Sequence, residues 1–313
     1  MLNSPVVSAP IPSGSIHSTE MTEPLTLHSK QDTAASQAAW MMAAVLCVLM
    51  ALLYYPVAIK LASDWYNIED NSHGLLIPFF VAFLLWDKRE KLRATPLRPG
   101  WGGLGLVLFG LFVLIVGVFG ADLFLSRISF LIVVIGILWM LLGPPMVRET
   151  SFVLFVFLLA IPLPTLIMNH ITFPLQLRSS QLASGLLQLV GVPVLREGNV
   201  IKLPAMELEV AEACSGIRSL MSLFTVAVIY GYFIEKTTLR RVILAVAAIP
   251  IAVAANAARI FGTGLCVQYW DPDKAEGFFH EFQGWLIFLV SLSLLYLVHV
   301  VMRLVTKKRA VAV

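Results

Sequence analysis

The stretch "GGLGLVLFGLFVLIVGVFG" at residues 102–120 contains no charged side chain. It is about as long as a helix that crosses a lipid bilayer. The whole chain is 58% hydrophobic and only 13% charged, whereas an ordinary soluble domain has about a quarter of its residues charged. The composition therefore indicates an integral membrane protein of the all-α class, with its 313 residues in one polytopic domain.

Apolar runs predict about eight membrane-spanning helices, near residues 40–59, 70–86, 102–120, 123–142, 151–168, 216–234, 242–265 and 284–305. The fifth run contains Pro162 and Pro164, which should break or kink it near its end. Residues 1–39 are rich in Ser, Thr, Pro and Ala and are predicted to form a disordered tail. They do not resemble a signal peptide, because the first hydrophobic run begins only at Trp40.

The distribution of Lys and Arg predicts the orientation of the chain, because cytoplasmic loops carry an excess of basic residues. With both termini inside, the cytoplasmic loops and the basic tail at 306–313 hold Lys88, Arg89, Lys91, Arg93, Arg98, Arg148, Lys236, Arg240, Arg241, Arg303, Lys307, Lys308 and Arg309. The opposite loops are mostly acidic. We therefore expect 169–215 to lie outside, with its first half along the outer interface and a short hairpin at 199–213.

The three cysteines, Cys47, Cys214 and Cys266, have neither the paired spacing of a disulfide framework nor a CxxC metal pattern. Cys47 lies inside an apolar run, which favours a packing role. We predict no metal and no cofactor. Clustered Lys and Arg on a soluble fold, which a nucleic-acid surface would need, are absent from the sequence.

Three groups from distant parts of the chain are predicted to meet at the outer membrane face. Cys214 precedes the sixth span, Arg259 lies near the outer end of the seventh, and His280 lies just before the eighth. A lone cysteine at a helix end is usually inert, and a lone loop histidine is usually a polar surface residue. An arginine within a span is harder to explain structurally, because charge at membrane depth costs at least about 2.5 kcal/mol.

Together the three groups suit acyl transfer. If Ser215 caps the sixth span, Cys214 sits at the positive end of the helix dipole, which favours the reactive thiolate. His280 can exchange protons with the thiol and the leaving amine. Arg259 can stabilise the thiolate or the oxyanion of the intermediate.

Other charged residues offer alternatives for each role. Arg218 lies one helical turn after Cys214 and either shares the electrostatic role or pairs with Glu209 or Glu212. His73 and His170 also fall near the predicted outer face and are the main rivals of His280.

Four sequence blocks resemble the exosortase and archaeosortase family. They are "EACSGIRSL" at 212–220, "NAARI" at 256–260, His280 four residues before Gly284-Trp285, and "SHGLLIPFFVAFLLW" at 72–86. The resemblance covers about residues 40–305. It implies a multi-pass membrane domain over that range, with Cys214, Arg259 and His280 in the catalytic positions and Asn256 beside them.

The resemblance also implies an activity: a cysteine protease and transpeptidase of the bacterial inner membrane, with its site facing the extracytoplasmic side. The expected substrates are membrane-anchored proteins with a C-terminal signal of the PEP-CTERM kind, made of a short motif, a transmembrane helix and a basic tail. Partners would be these proteins and the lipid bilayer, with no nucleic acid.

Three other functions remain open from the residues themselves. A transporter or channel would use Arg127, Arg218 and Arg259 to line an anion pathway, and Arg127 has no role in the protease interpretation. A membrane acyl- or glycosyltransferase, or a polysaccharide-assembly component, would use His280 with Asp271 or Glu281. A structural scaffold would need none of these groups.

Overall fold

The computed structural model describes residues 23–204, 206–209, 216–269 and 278–311, with side chains described between 41 and 305 except at 43, 205, 209–217 and 270–283. It is helical almost throughout. The helices are α1 (Glu23–Asn67), a 3-10 helix (Glu69–Leu75), α2 (Ile77–Asp87), α3 (Arg89–Ala94), α4 (Gly102–Phe119), α5 (Leu123–Leu142), α6 (Pro144–Leu158), α7 (Thr165–Leu189), α8 (Gly216–Ile234), α9 (Thr238–Tyr269) and α10 (Phe278–Val311).

The chain separates into two compact units, Met1–Tyr55 and Pro56–Val313. The described part of the first unit is the beginning of α1, which starts at Glu23 and so includes residues predicted to be a disordered tail. Cys47 is exposed on this helix, which gives it no internal packing role within the described residues. The second unit contains all the other helices and strands.

Five helical segments in the described residues are long and apolar enough to cross a membrane: Ala44–Asn67, Gly102–Phe119, Leu123–Leu142, Thr238–Tyr269 and Gly284–Val305. They correspond to the first, third, fourth, seventh and eighth predicted spans. The structure thus supports an all-α membrane protein, but it does not support the count of eight.

The remaining predicted spans are shorter or interrupted in the described residues. Residues 70–86 contain six of the seven residues of the 3-10 helix, followed by most of α2, which has only 11 residues. Residues 151–168 are divided between α6 and α7, because α6 ends at Leu158, ahead of the two prolines. The apolar part of α8 is the shorter segment Arg218–Ile234.

Helices α8, α9 and α10 run alternately up and down, which gives this part of the bundle two ends. Near one end, Gly284 at the start of α10 lies against Arg259 of α9. Near the other, His299 of α10 lies against Glu235, in the connection from α8 to α9. We call these the site end and the far end. Between them Leu223, Leu244, Ala248 and Leu295 form a buried core.

A small antiparallel sheet joins α7 to the segment before α8. Its strands are β1 (Leu195–Glu197), β2 (Val200–Lys202) and β3 (Glu207–Glu209), in the order β1-β2-β3. Leu195 pairs with Lys202, and Lys202 pairs with Glu207. The sheet therefore starts before the predicted 199–213 hairpin and has an additional strand.

One face of α7 packs on α9, in the region that was expected to lie along the outer interface. Ser179 donates a hydrogen bond from Oγ to the carbonyl oxygen of Val253 at 3.2 Å. Leu187 is fully buried in a cluster with Ile201, Leu208 and Ile260. The cluster fixes the sheet to α7 and α9, so the segment that leads to Cys214 leaves from a packed support.

Candidate active site

Helix α9 carries two polar side chains one turn apart, Asn256 and Arg259. The surrounding sequence "AVAANAARI" is rich in alanine, which favours helix and lets neighbouring helices come close. Asn256 is buried and Arg259 is half-buried. An asparagine and an arginine in the interior of a candidate membrane span mark a functional site by default.

The guanidinium of Arg259 lies against the start of α10 at Gly284. A methyl group added to Gly284 would stand 3.7 Å from Cζ and 3.7 Å from Nη2 of Arg259. These distances are ordinary van der Waals contacts, so a side chain larger than a methyl group at position 284 would meet the guanidinium. His280 lies four residues earlier in α10, so positions 280 and 284 share a helical face. The structure thus brings the arginine motif and the histidine motif of the sequence together.

Several predicted site groups lie outside the described residues. They are Cys214 and Ser215 altogether, the side chain of His280, Glu212, Asp271 and the side chain of Glu281. The described part of the adjacent helix begins at Gly216, directly after Ser215. The helix-capping role of Ser215 and the catalytic roles of Cys214 and His280 therefore stay predictions.

A small, mainly apolar cavity lies next to this site, between α7, α8 and α9. Its volume is about 20 Å³, and its polar lining comes from Thr172, Gln176, Ser179 and Asn256. That volume is enough for one water molecule, and a water needs two to four polar partners. Asn256 thus lines a small, mainly apolar cavity one helical turn from Arg259.

Arg218 contacts a partner that the sequence did not suggest. It forms an ion pair with Glu69 of the 3-10 helix, and both side chains are largely exposed. The pair connects the beginning of α8 to the segment between α1 and α2. This contact supports a structural role for Arg218, with Glu69 as partner in place of the expected Glu209 or Glu212.

Arg127 is held inside the protein by Asp64. Nη2 of Arg127 lies 2.5 Å from Oδ2 of Asp64, and only 4% of the arginine side chain is exposed. The pair joins α5 to the last part of α1. It gives Arg127 the structural role that the protease interpretation lacked, and it weakens the case for an anion pathway.

Of the two rival histidines, His73 is half-buried in the 3-10 helix, and its Nε2 lies 3.2 Å from the carbonyl oxygen of Leu159. Burial lowers the pKa of His73 below its ordinary value, with hydrogen bonds to backbone carbonyls opposing the shift. His170 is exposed and contacts the carbonyl oxygen of Leu166 in its own helix. These contacts anchor both rivals locally.

The block around His73 also has a packing function. A Cβ atom on Gly74 would stand 2.3 Å from Nε1 of Trp65, so only glycine fits beneath the indole ring. The same Nε1 donates a hydrogen bond to the carbonyl oxygen of Ala160 at 2.8 Å. The glycine therefore lets α1, the 3-10 helix and the end of α6 meet at one point.

A sequence model described as transmembrane exosortase matches residues 65–297, which is most of the chain. The chain belongs to the transmembrane exosortase family. Neither the curated proteins nor the solved structures gave a match. The exosortase match includes positions 214, 259 and 280, and it covers the contact between Arg259 and Gly284. Family membership agrees with the multi-pass architecture and with the resemblance of the four sequence blocks.

Proposed function

We propose that this exosortase-family protein is a membrane cysteine protease and transpeptidase that removes C-terminal sorting signals through a thioester. The observation that carries the proposal is the position of Arg259, whose guanidinium lies against Gly284, one helical turn from position 280. This contact supports an arginine and a histidine acting at one place. The third member would be Cys214, shortly before the start of α8.

In the proposed reaction, His280 accepts the proton of the Cys214 thiol, and the thiolate attacks the carbonyl carbon of the scissile peptide bond. Arg259 stabilises the negative charge that develops on the carbonyl oxygen. The C–N bond then breaks, and His280 returns the proton to the leaving amine. An amine acceptor or water attacks the thioester, which releases the trimmed protein and restores the thiol.

The proposed substrate is a membrane-anchored protein whose scissile bond lies just outside its C-terminal helix. We expect its basic tail to stay on the cytoplasmic side, in the inner membrane of a bacterium, while the site faces the other side. The motif could add to the edge of β3, because that strand leads toward position 214. Backbone hydrogen bonds would hold the motif extended, and alternate side chains would determine specificity.

An anion transporter and a polysaccharide-assembly transferase are the alternatives. The transporter needs arginines along a pathway, yet Arg127 and Arg218 each form an ion pair with a carboxylate. The transferase would not need Cys214. Neither alternative requires the thiol, so the Cys214 variant described next tests both of them.

The test is processing of a co-expressed precursor that carries a motif, a helix and a basic tail. We expect Cys214→Ala and Arg259→Ala to leave the precursor at full length, with rates at least about 100-fold lower, and His280→Ala to do so nearly as strongly. Cys266→Ala, Arg178→Ala and His170→Ala are the matched controls and should process normally. Normal processing by Cys214→Ala at wild-type membrane abundance would contradict the proposal.

A further inference from the structure

A second concave site lies away from Arg259, where α3, the connection from α3 to α4, α5 and α6 come together. We call it the interface groove. Its volume is about 960 Å³, and its charged lining consists of Lys91, Arg98, Arg148 and Glu149. The cysteine chemistry uses none of these residues.

Lys91 and Glu149 form an ion pair within the groove, so Arg98 and Arg148 are its two remaining cationic groups. Nζ of Lys91 lies 2.7 Å from Oε2 of Glu149. Their hydrogen bond is the main reason why the pKa of Glu149 lies below its ordinary value, so the carboxylate stays ionised and neutralises Lys91. Arg98 and Arg148 are exposed, and neither has a carboxylate within ion-pair distance in the described part of the chain.

Contacts within the protein hold the walls of the groove in position. The backbone N–H of Arg98 donates a hydrogen bond to the carbonyl oxygen of Leu142 at 3.0 Å. Gly143 has a φ of 93°, and a Cβ atom there would stand 2.0 Å from the carbonyl oxygen of Arg98. Trp139 packs against Gly102, where an added Cβ would stand 3.2 Å from its Cζ2. The backbone of Arg98 is therefore held in place.

The groove lies where a membrane surface would be. It opens beside the beginning of α4 and the end of α5, which are candidate membrane spans. Leu97 and Trp101 are 61% and 85% exposed at the same level. Tryptophan is enriched at the boundary between acyl chains and headgroups. A ligand here would meet cationic groups and apolar helix surface together.

We propose that the interface groove binds an anionic phospholipid, with its phosphate at Arg98 and Arg148 and its acyl chains along α4 and α5. The guanidinium group of an arginine matches the charge and geometry of a phosphate, and the groove carries two such groups. Basic pockets between membrane helices bind anionic headgroups in this way. A soluble anion would use the arginines but would gain nothing from Leu97 and Trp101.

The test measures lipid binding to the full-length protein by native mass spectrometry, with phosphatidylglycerol and phosphatidylcholine titrated separately. Phosphatidylglycerol should bind more tightly than phosphatidylcholine. The double variant Arg98→Gln/Arg148→Gln should lose roughly 30-fold in phosphatidylglycerol affinity, because each basic residue near an anionic surface contributes about fivefold. The control Arg93→Gln/Arg303→Gln removes the same charge from exposed positions outside the groove and should stay within about twofold of wild type.

Equal losses in both double variants would overturn the proposal, because they would indicate diffuse attraction to the whole basic surface. Displacement of the lipid by equimolar glycerol 3-phosphate or inorganic phosphate would show that the groove binds a soluble anion and not a phospholipid. Displacement by an acidic peptide would likewise contradict a lipid ligand. A photoactivatable phosphatidylglycerol on the wild-type protein gives a result that does not depend on variant folding. It should cross-link to 91–104 and 139–149, and cross-linking only elsewhere would contradict the proposal.

Discussion

The two ends of the α8–α10 bundle place their charged side chains in different surroundings. At the far end, Glu235 is almost fully buried and lies 2.9 Å from Nδ1 of His299 and 3.4 Å from Nη1 of Arg240. Arg241 donates a hydrogen bond from Nε to the backbone oxygen of Glu235 at 2.8 Å. At the site end, the guanidinium of Arg259 lies against the glycine backbone of α10.

The comparison distinguishes two uses of charged side chains. Some hold helices together, and others are available for the proposed reaction. The far end places the carboxylate of Glu235 beside Arg240 and His299, and the contacts join α9, α10 and the connection after α8. Arg259 lies against the part of α10 that carries the histidine motif. We infer that the far end is a structural anchor, and the proposed function assigns Arg259 to the substrate.

The largest effect on stability should come from breaking the far-end anchor. Glu235→Ala leaves Arg240 and His299 without their buried carboxylate, and breaking a buried pair costs about 3–5 kcal/mol. The matched variant Glu69→Ala removes a carboxylate from an exposed pair and should cost less than about 1 kcal/mol. Unfolding of both purified variants in detergent measures the difference. Equal losses would show that Glu235 is not an anchor.

A smaller loss should follow from breaking the Arg127–Asp64 pair, because 19% of the aspartate side chain is exposed. We expect Arg127→Met to lose about 2 kcal/mol of stability and Arg127→Met/Asp64→Leu to recover more than half of it. At equal membrane abundance, both variants should process the precursor normally. A stable but inactive double variant would instead give Arg127 a functional role and revive the anion pathway.

The mildest change should affect activity without affecting stability. Gly284→Leu places a branched side chain where the guanidinium of Arg259 lies, and we expect processing to fall roughly tenfold while the unfolding midpoint stays near wild type. Gly284→Ala should be tolerated, since its methyl group would make only ordinary van der Waals contact at 3.7 Å. Gly105→Leu is the control, because nothing lies within 4 Å of its Cβ position. A normal processing rate for Gly284→Leu would show that the position of Arg259 against α10 does not matter for the reaction.

The long apolar helices could be predicted from sequence because hydrophobic length is a local property. The runs at 102–120, 123–142 and 284–305 correspond closely to Gly102–Phe119, Leu123–Leu142 and Gly284–Val305. The prolines after α6 likewise indicated where that helix ends. The predicted span at 70–86 is not supported, because residues 70–75 belong to a 3-10 helix beside Trp65 and α2 has only 11 residues.

Partner choice could not be predicted, because it depends on tertiary packing. Nothing in the local sequence of Arg127 indicates Asp64, which precedes it by 63 positions. The ion pair of Arg218 with Glu69 is equally remote. By contrast, Arg259 and His280 were expected at one membrane depth; the structure places Arg259 against Gly284, and the meeting of the two side chains stays a prediction. Gly284 as the contact point became visible only in the structure.

The most direct test of the account is detection of the acyl-enzyme. Wild-type protein incubated with precursor should carry a substrate fragment on Cys214, identified by mass spectrometry and released by neutral hydroxylamine. Arg259→Ala should form this adduct at least about 100-fold more slowly, and Cys214→Ala should form none and leave the precursor intact. Processing at the wild-type rate by Cys214→Ala, at equal membrane abundance, would contradict the thioester mechanism.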